Sequence, residues 1–419
     1  MFFLISNYYR SLILFLLLPS TLLAQTNTAE IIGTVQDESG AILPGVVVTT
    51  THISSKFTVE RVTDQQGAFL LPSLPVGEQV ITAEFPGFKR LVREGISLTV
   101  GQRIRLDLTL EVGAITENIT VTGSAPLLQN TTAEISNIIE NEQVVDLPLN
   151  GRQFLQLALL TEGAIKPPGG TRGASLQQAG DLVNIGGQRA GHNIYLFDGV
   201  KVTDELFNNL ALSPAVDAIQ EFKIQKSLYS AEFGGKASAL INVLSKSGTN
   251  DFHGNLYAFH RNDALDAKNF FDSPSEPIPP FSQNQFGGTF GGPLTIPGIY
   301  DGKNRTFFFL NYEGQRIRQS ITKTFSVPTA EVRSGNFSNL GTIYDPLTVN
   351  TQTGSRQPFS NNQIPQNRLD LIAQAFLKKV PLPNLSGNVQ NLVTSPSQKT
   401  NMDQFNIRLD HIASPKNTL

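Results

Sequence analysis

The segment of this chain whose residues could most plainly do chemistry is VNIGGQRAGHNIYLFDGVKV, residues 183–202. Glycines precede an apolar run there, as they do where backbone amides cradle a phosphate. The spacing does not fit that chemistry. Gly186 and Gly187 are adjacent, so GGQRAG lacks the Gly-x-Gly-x-x-Gly pattern, and no Gly-Lys-Ser/Thr follows. A second Gly-rich turn, GGKAS at 234–238, puts Ala237 where a Mg²⁺-binding hydroxyl is needed. Metal chemistry has no better footing. His52, His192, His253, His260 and His411 are scattered, and none stands in a His-x-x-Glu or His-Glu-x-x-His spacing. The chain has 0 cysteines, which removes disulfides, thiolate ligands and Cys nucleophiles. No catalytic constellation, metal or cofactor is implied, and the reading is of a protein that is not an enzyme.

What remains of 183–202 is structural: a strand, a Gly-rich bend, the strand NIYLF, an Asp198-Gly199 turn and VKV. Asp-Gly between apolar runs favours a two-residue hairpin turn with both residues at positive φ. The bend is expected to let the strands on either side of it meet. Around this segment, residues 125–250 read as mixed α/β. A helix is expected from Asn150, as N-cap, to Gly163, with Phe154, Leu157, Ala158 and Thr161 on one stripe. Ser213-Pro214 opens a second helix, and EFKIQ and ASALINVLSK follow as strands.

Ahead of this region, residues 29–112 read as a β-sandwich of six or seven short strands. In RIRLDLTLEV, residues 103–112, Ile104, Leu106, Leu108, Leu110 and Val112 alternate with polar residues, the period of a strand. Residues 113–124, GAITENITVTGS, hold one short strand, in which Ile119 and Val121 alternate with Thr120 and Thr122. Such a strand serves either as a linker or as a docking strand that adds to a partner's sheet. At the N-terminus, Arg10 followed by the apolar SLILFLLLPSTLLA reads as a secretory signal peptide, residues 1–24. No other run is long and apolar enough for a membrane helix, so any membrane crossing must use strands. A net charge of −3 argues against a general nucleic-acid binder. Only 16% of residues are charged, against about 25% in ordinary soluble domains.

Two resemblances organise these elements. GTVQDESGAILPGVVVTT and TDQQGAFLLPSLPVGEQVITAEFPGFK resemble the carboxypeptidase regulatory-like domain, a family that implies an accessory module without catalytic residues. DLPLNGRQFLQLALLTEG, IGGQRAGHNIYLFDGVKV and AIQEFKIQKSLYSAEFGGKASALINVLSKSGTN, in that order, resemble the plug of TonB-dependent outer-membrane receptors. A regulatory-like domain ahead of a plug is similar to the Oar-like group. The resemblance implies that Ile119, Thr120, Val121, Thr122 and Gly123 form a TonB box. It implies that Gly187, Arg189, Asn193, Asp198 and Gly199 belong to plug architecture, with Arg189 either paired to a barrel carboxylate or a solvated loop arginine.

Residues 251–419 fit the start of the barrel. Residues 251–263, 284–294, 304–316 and 403–411 have the length of tilted membrane strands. In the last, Phe405, Ile407 and Leu409 alternate with Gln404, Asn406, Arg408 and Asp410. A polar loop of about 85 residues precedes it, with a helix expected over 368–380. Four strands cannot close a barrel, so the chain is expected to be the N-terminal part of a larger receptor. The expected fold is mainly β: an N-terminal β-sandwich, an α/β plug (125–250), then the first strands of an incomplete transmembrane β-barrel. The expected function is energy-coupled uptake or handling of a large solute at the cell outer membrane, with the N-terminal domain in the periplasm. The implied partners are a TonB-type energy-transducing protein, outer-membrane lipid and a solute ligand, and no nucleic acid. The competing reading is a secreted β-module protein for adhesion or carbohydrate binding.

Overall fold

Alternation along residues 29–110 folds into two facing sheets, because each strand has one face to bury. The computed structural model describes residues 27–114, 118–122, 134–167, 182–206, 208–268, 278–320, 323–414 and 417–418. The leader at 1–24 and Gly123 lie outside the described residues. The strands are β1 (Ala29–Asp37), β2 (Val47–His52), β3 (Thr58–Val62), β4 (Ala68–Leu74), β5 (Gly77–Glu84), β6 (Arg90–Leu98), β7 (Arg103–Arg105), β8 (Leu108–Leu110) and β9 (Asn118–Thr122). One sheet runs β4-β1-β7, with β8 also on β1, and the other runs β3-β2-β5-β6-β9. Ile31, Val35, Val48, Leu71, Ile81, Ile96 and Ile104 fill the space between them.

The expected single strand at 103–112 is two strands, β7 and β8, both parallel to β1. The break is caused by Gly33. A Cβ at residue 33 would stand 1.8 Å from the Leu106 carbonyl oxygen, so only glycine lets the two backbones approach this closely. Asp107, next in the chain, turns back to accept from the Thr34 N–H at 2.9 Å and the Thr34 hydroxyl at 2.8 Å.

The middle domain follows. It contains β10 (Ile135–Glu140), β11 (Ala164–Ile165), β12 (Asn184–Ile185), β13 (Ile194–Phe197), β14 (Val200–Lys201), β15 (Ile219–Ser227) and β16 (Leu240–Ser245). The main sheet runs β10-β15-β16-β13-β14, and β11 and β12 form a separate pair. Buried Phe154, Leu157, Val183, Tyr195, Phe222, Ile224 and Ile241 pack its core, with the Phe154 and Phe222 rings edge-to-face at 5.4 Å.

Three expectations need correction here. The helix over 150–163 is a broken run of 3₁₀ turns, Asn150–Arg152 and Phe154–Leu160. Gly151 (φ 66°) and Arg152 (φ 53°) are left-handed, which stops a helix from starting at Asn150. The Ser213-Pro214 helix is a single 3₁₀ turn, Val216–Ala218, because the alternating strand from Ile219 enters the central sheet. The Gly-rich bend does not join its flanking strands to each other: β12 pairs with β11, whereas β13 pairs with β14 and β16.

Four long strands complete the chain: β17 (His253–Asn262), β18 (Phe281–Pro293), β19 (Thr306–Ser320) and, after the short β20 (Lys323–Phe325) and β21 (Leu392–Thr394), β22 (Ser397–Ser414). With Asn417–Thr418 (β23) they form an open sheet in chain order, β17-β18-β19-β22-β23. The chain divides into two compact units. The first holds residues 1–256, 287–313 and 404–419, and the second holds 257–286 and 314–403. In the second, the long loop is folded. Buried Asn391 accepts from the Val327 N–H at 2.8 Å and donates to the Val327 carbonyl at 2.9 Å. A helix at Leu371–Leu377, within the expected 368–380, is capped by Asp370, which accepts from the Ala373 N–H at 2.8 Å.

Gly33→Ala is expected to cost about 1–3 kcal/mol through the forced separation of β1 from Leu106. Denaturant unfolding followed by sandwich-specific hydrogen exchange measures it, and an unchanged midpoint would remove this account of the split strand.

Candidate functional site

The long strands have their amphipathicity turned inside out. On β22, Phe405, Ile407 and Leu409 are 70, 79 and 58% exposed, while Gln404, Asn406 and Arg408 between them are half-buried and hydrogen-bonded. Gln404 donates to the Ser213 carbonyl at 3.0 Å, and Asn406 donates to Asn311 Oδ1 at 3.1 Å. On β19, Leu310 is exposed, whereas its neighbours Asn311 and Glu313 are buried. In the second unit, Gln283, Gln285 and Gln315 are likewise buried. A soluble sheet buries apolar side chains and shows polar ones to water. The reverse arrangement suits strands with lipid outside and a polar interior.

The polar face of these strands meets the middle domain through two charged clusters in the first unit. Arg152 pairs with Asp217, and its Nε lies 3.9 Å from Glu313 Oε2 on β19. Asn255 of β17 donates to the other Asp217 oxygen at 2.8 Å. All three charged side chains are nearly buried, so each depends on the others for compensation. The second cluster centres on Asp198. Its carboxylate accepts from the Ser245 N–H at 2.9 Å and the Ser245 hydroxyl at 2.7 Å. Arg408 of β22 reaches Asp198 at 3.5 Å and donates to the Ser245 carbonyl at 2.9 Å, while Asp410 holds its other side.

A third cluster joins the sandwich to the middle domain. Lys223 of β15 pairs with Glu134 and donates to the Gly101 carbonyl at 3.3 Å. Glu221 accepts from the Val100 N–H at 2.5 Å. Burial, with Glu140 nearby, pushes the Glu221 carboxyl up to about 7, although the Val100 hydrogen bond and Lys223 act against this.

The residues singled out from sequence divide between these sites. Asp198 and Gly199 form the turn between β13 and β14, at φ 48° and 80°, as a primed hairpin turn requires. Asp198 has the further role of accepting from Ser245 and Arg408. Asn193 is fully buried. It donates to the Val183 carbonyl at 2.8 Å and accepts from the Ala239 N–H at 3.4 Å, so it ties the Gly-rich segment to the end of β16. Gly187 and Arg189 lie on the exposed bend, and among the described residues no ion pair joins Arg189 to a carboxylate. Arg152 and Arg408 make the charged contacts instead. The Asn150-Gly151 pair, a turn signal that competes with a helix start, marks where Arg152 is turned inward. Ile119, Thr120, Val121 and Thr122 lie on β9, paired in parallel with β6 from Arg90↔Asn118 to Glu94↔Thr122. Among the described residues, no group of three or more His, Asp or Glu side chains is placed to hold a metal.

Inside-out strands whose polar face carries a charge-pinned domain, behind a β-sandwich, are the arrangement of an outer-membrane β-barrel domain. Comparison with known proteins agrees. Residues 244–419 match the family model of the outer membrane beta barrel domain, and residues 30–111 match the carboxypeptidase regulatory-like domain. The chain is a homologue of the TonB-dependent transporter Oar of Myxococcus xanthus, 28% identical over 330 residues. That match takes in 74% of this chain and 29% of the relative, so the chain spans less than a third of the relative's length. Among solved structures, the outer membrane transporter YddB of Escherichia coli aligns over 67% of this chain and 31% of its own (TM-score 0.39, 13% identity). The siderophore receptor PirA of Acinetobacter baumannii aligns over 47% and 26% (TM-score 0.32, 16% identity). A catechol 1,2-dioxygenase of Acinetobacter radioresistens aligns over 24% and 58% (TM-score 0.19, 16% identity).

Arg152→Ala removes the guanidinium that Asp217 and Glu313 share and is expected to cost about 3 kcal/mol, with Arg152→Lys losing less. The unfolding midpoint in detergent and the protease resistance of residues 134–245 report the loss, and equal midpoints would dismiss the cluster as a stabilising contact. For Glu221, the folded pKa of about 7 lies above the ordinary 4.5. Its contribution is therefore full below pH 4.5 and disappears as pH rises through 7, a loss of about 2–3 kcal/mol. Thermal unfolding at pH 5 and pH 8 measures this slope, and Glu221→Gln is expected to flatten it.

Proposed function

We propose that this chain is the periplasmic and membrane-entry portion of an energy-coupled outer-membrane transporter. The reading rests on one observation above the others. Polar residues of β19 and β22 make ion pairs with the α/β domain, through Arg152–Glu313 and Arg408–Asp198. A domain held this way is a plug: a stopper inside the lumen that must be moved before solute can pass. Hydrogen bonds and ion pairs suit a movable contact, since water entering the lumen replaces them at modest net cost. An apolar seal would have to expose its surface to water instead.

Energy must then come from outside, because the outer membrane has no nucleotide pool. A TonB-type protein is the partner that fits, with residues 119–123 as its box and the periplasm as the compartment of the sandwich. The solute is a large one. In this reading Gly187, Asn193 and Gly199 keep the plug's fold, Asp198 and Arg152 hold it in place, and no residue is catalytic.

Deleting residues 117–123 from the full-length protein is expected to lower energy-dependent uptake by at least tenfold while leaving barrel assembly, read as heat-modifiable mobility, unchanged. Uptake at the undiminished rate in that deletion would end the energy-coupling assignment. Recovery of the full-length protein from the soluble secreted fraction would favour the adhesion reading instead.

A further inference from the structure

The strand read as the docking peptide is not loose. β9 lies in the sandwich sheet as its last strand, in unbroken parallel register with β6 over five residue pairs. One edge of β9 is taken by β6. Among the described residues no strand pairs with the other edge.

Open edges invite other chains, and proteins blunt them with charge, proline or shortness. The other edges of the four- and five-stranded sheets in the sandwich and middle domain follow that rule. β3 carries Glu60 and Arg61, β4 carries Pro72, and β7 carries Arg103 and Arg105. β8 is three residues long, β10 ends on Glu140, and β14 is two residues including Lys201. β9, Asn-Ile-Thr-Val-Thr, has no charge and no proline. It is long enough for strand pairing and carries none of the usual guards.

We infer that the regulatory-like sandwich is a presentation platform: it holds residues 118–122 extended and offers their outer edge to a β-strand of a periplasmic partner, which adds to the sheet as a sixth strand. The inference rests on the proposed energy coupling and adds how the partner is met. A strand already extended has less backbone entropy to lose on docking than a free peptide. The partner's surface is then a composite of sandwich and strand. The alternative is that the partner strips β9 from β6 and binds it bare. The two differ in whether the β6–β9 pairing survives docking.

Residues 1–419 contain no cysteine, and the full-length protein without the two substitutions is the control for any thiol elsewhere. Val92 and Thr120 are opposed Cα partners, and neither is a core residue. Neighbouring strands lie about 4.8 Å apart, within the range a disulfide can span. The full-length protein carrying Val92→Cys and Thr120→Cys is oxidised in outer-membrane preparations. Its binding to the purified periplasmic domain of the host's TonB-type protein is then compared with and without reductant. Presentation predicts near-complete crosslinking and a Kd for the locked protein within about threefold of the reduced one. Two results overturn it while sparing the energy-coupling reading. In one, both cysteines stay open to alkylation and no disulfide forms. In the other, binding falls by more than about tenfold on locking and returns with reductant. If neither the reduced protein nor a peptide of residues 113–124 binds the partner domain, the energy-coupling reading falls and presentation falls with it.

Discussion

Everything in this chain follows from where water is absent. In a bilayer no solvent can satisfy a strand's side-chain or backbone polar groups, so polar groups must turn inward and apolar groups outward. β22 obeys this over residues 404–409, with Phe405, Ile407 and Leu409 outside and Gln404, Asn406 and Arg408 inside. The inward face is then a wall of hydrogen-bonding groups that itself needs partners. The middle domain supplies them. The charged clusters at Arg152 and Asp198 are thus a consequence of the membrane constraint as much as a device for holding a domain.

Much of this is legible from residue order alone, because its signals are local. Period-two alternation marks β22 and the sandwich strands, and Asp198-Gly199 marks a hairpin turn whose φ values are both positive, as they must be. The likeness to a receptor plug is likewise carried by three short motifs in sequence. What is not legible is long-range. Arg152 meets Asp217 and Glu313 across 65 and 161 residues, and Arg408 meets Asp198 across 210. No spacing rule reaches that far, whereas Arg189, conspicuous in its Gly-rich motif, lies on an exposed bend.

The misread helices have a common cause. Residues 154–160 are uncharged and, but for Gln156, apolar, and propensity alone favours a helix there. Two left-handed residues, Gly151 and Arg152, reset the chain direction just before them. The cost of that turn is offset by what it achieves, since it aims the Arg152 guanidinium at two carboxylates. Gly33 is the same lesson in the sandwich. A glycine in a strand reads as a weak spot, yet here it is where the Leu106 carbonyl comes to rest.

On the proposed energy coupling, the placement of β10 has a mechanical meaning. Among the described residues it is the next strand after β9 in the chain, and it sits at the edge of its sheet, bonded on one side only, to β15. Its first residues, Ile135 and Ser136, oppose the last ones of β15. A pull arriving from β9 therefore meets the β10–β15 hydrogen bonds singly, from one end, as a zipper is opened. The same pull on a central strand would load a whole row of bonds together. A zipper yields at low force and over a long travel. Opened this way, the domain would lose its outermost strand while β13, β15 and β16 stay paired, and the Glu134–Lys223 ion pair, just ahead of Ile135, would be the first catch to release.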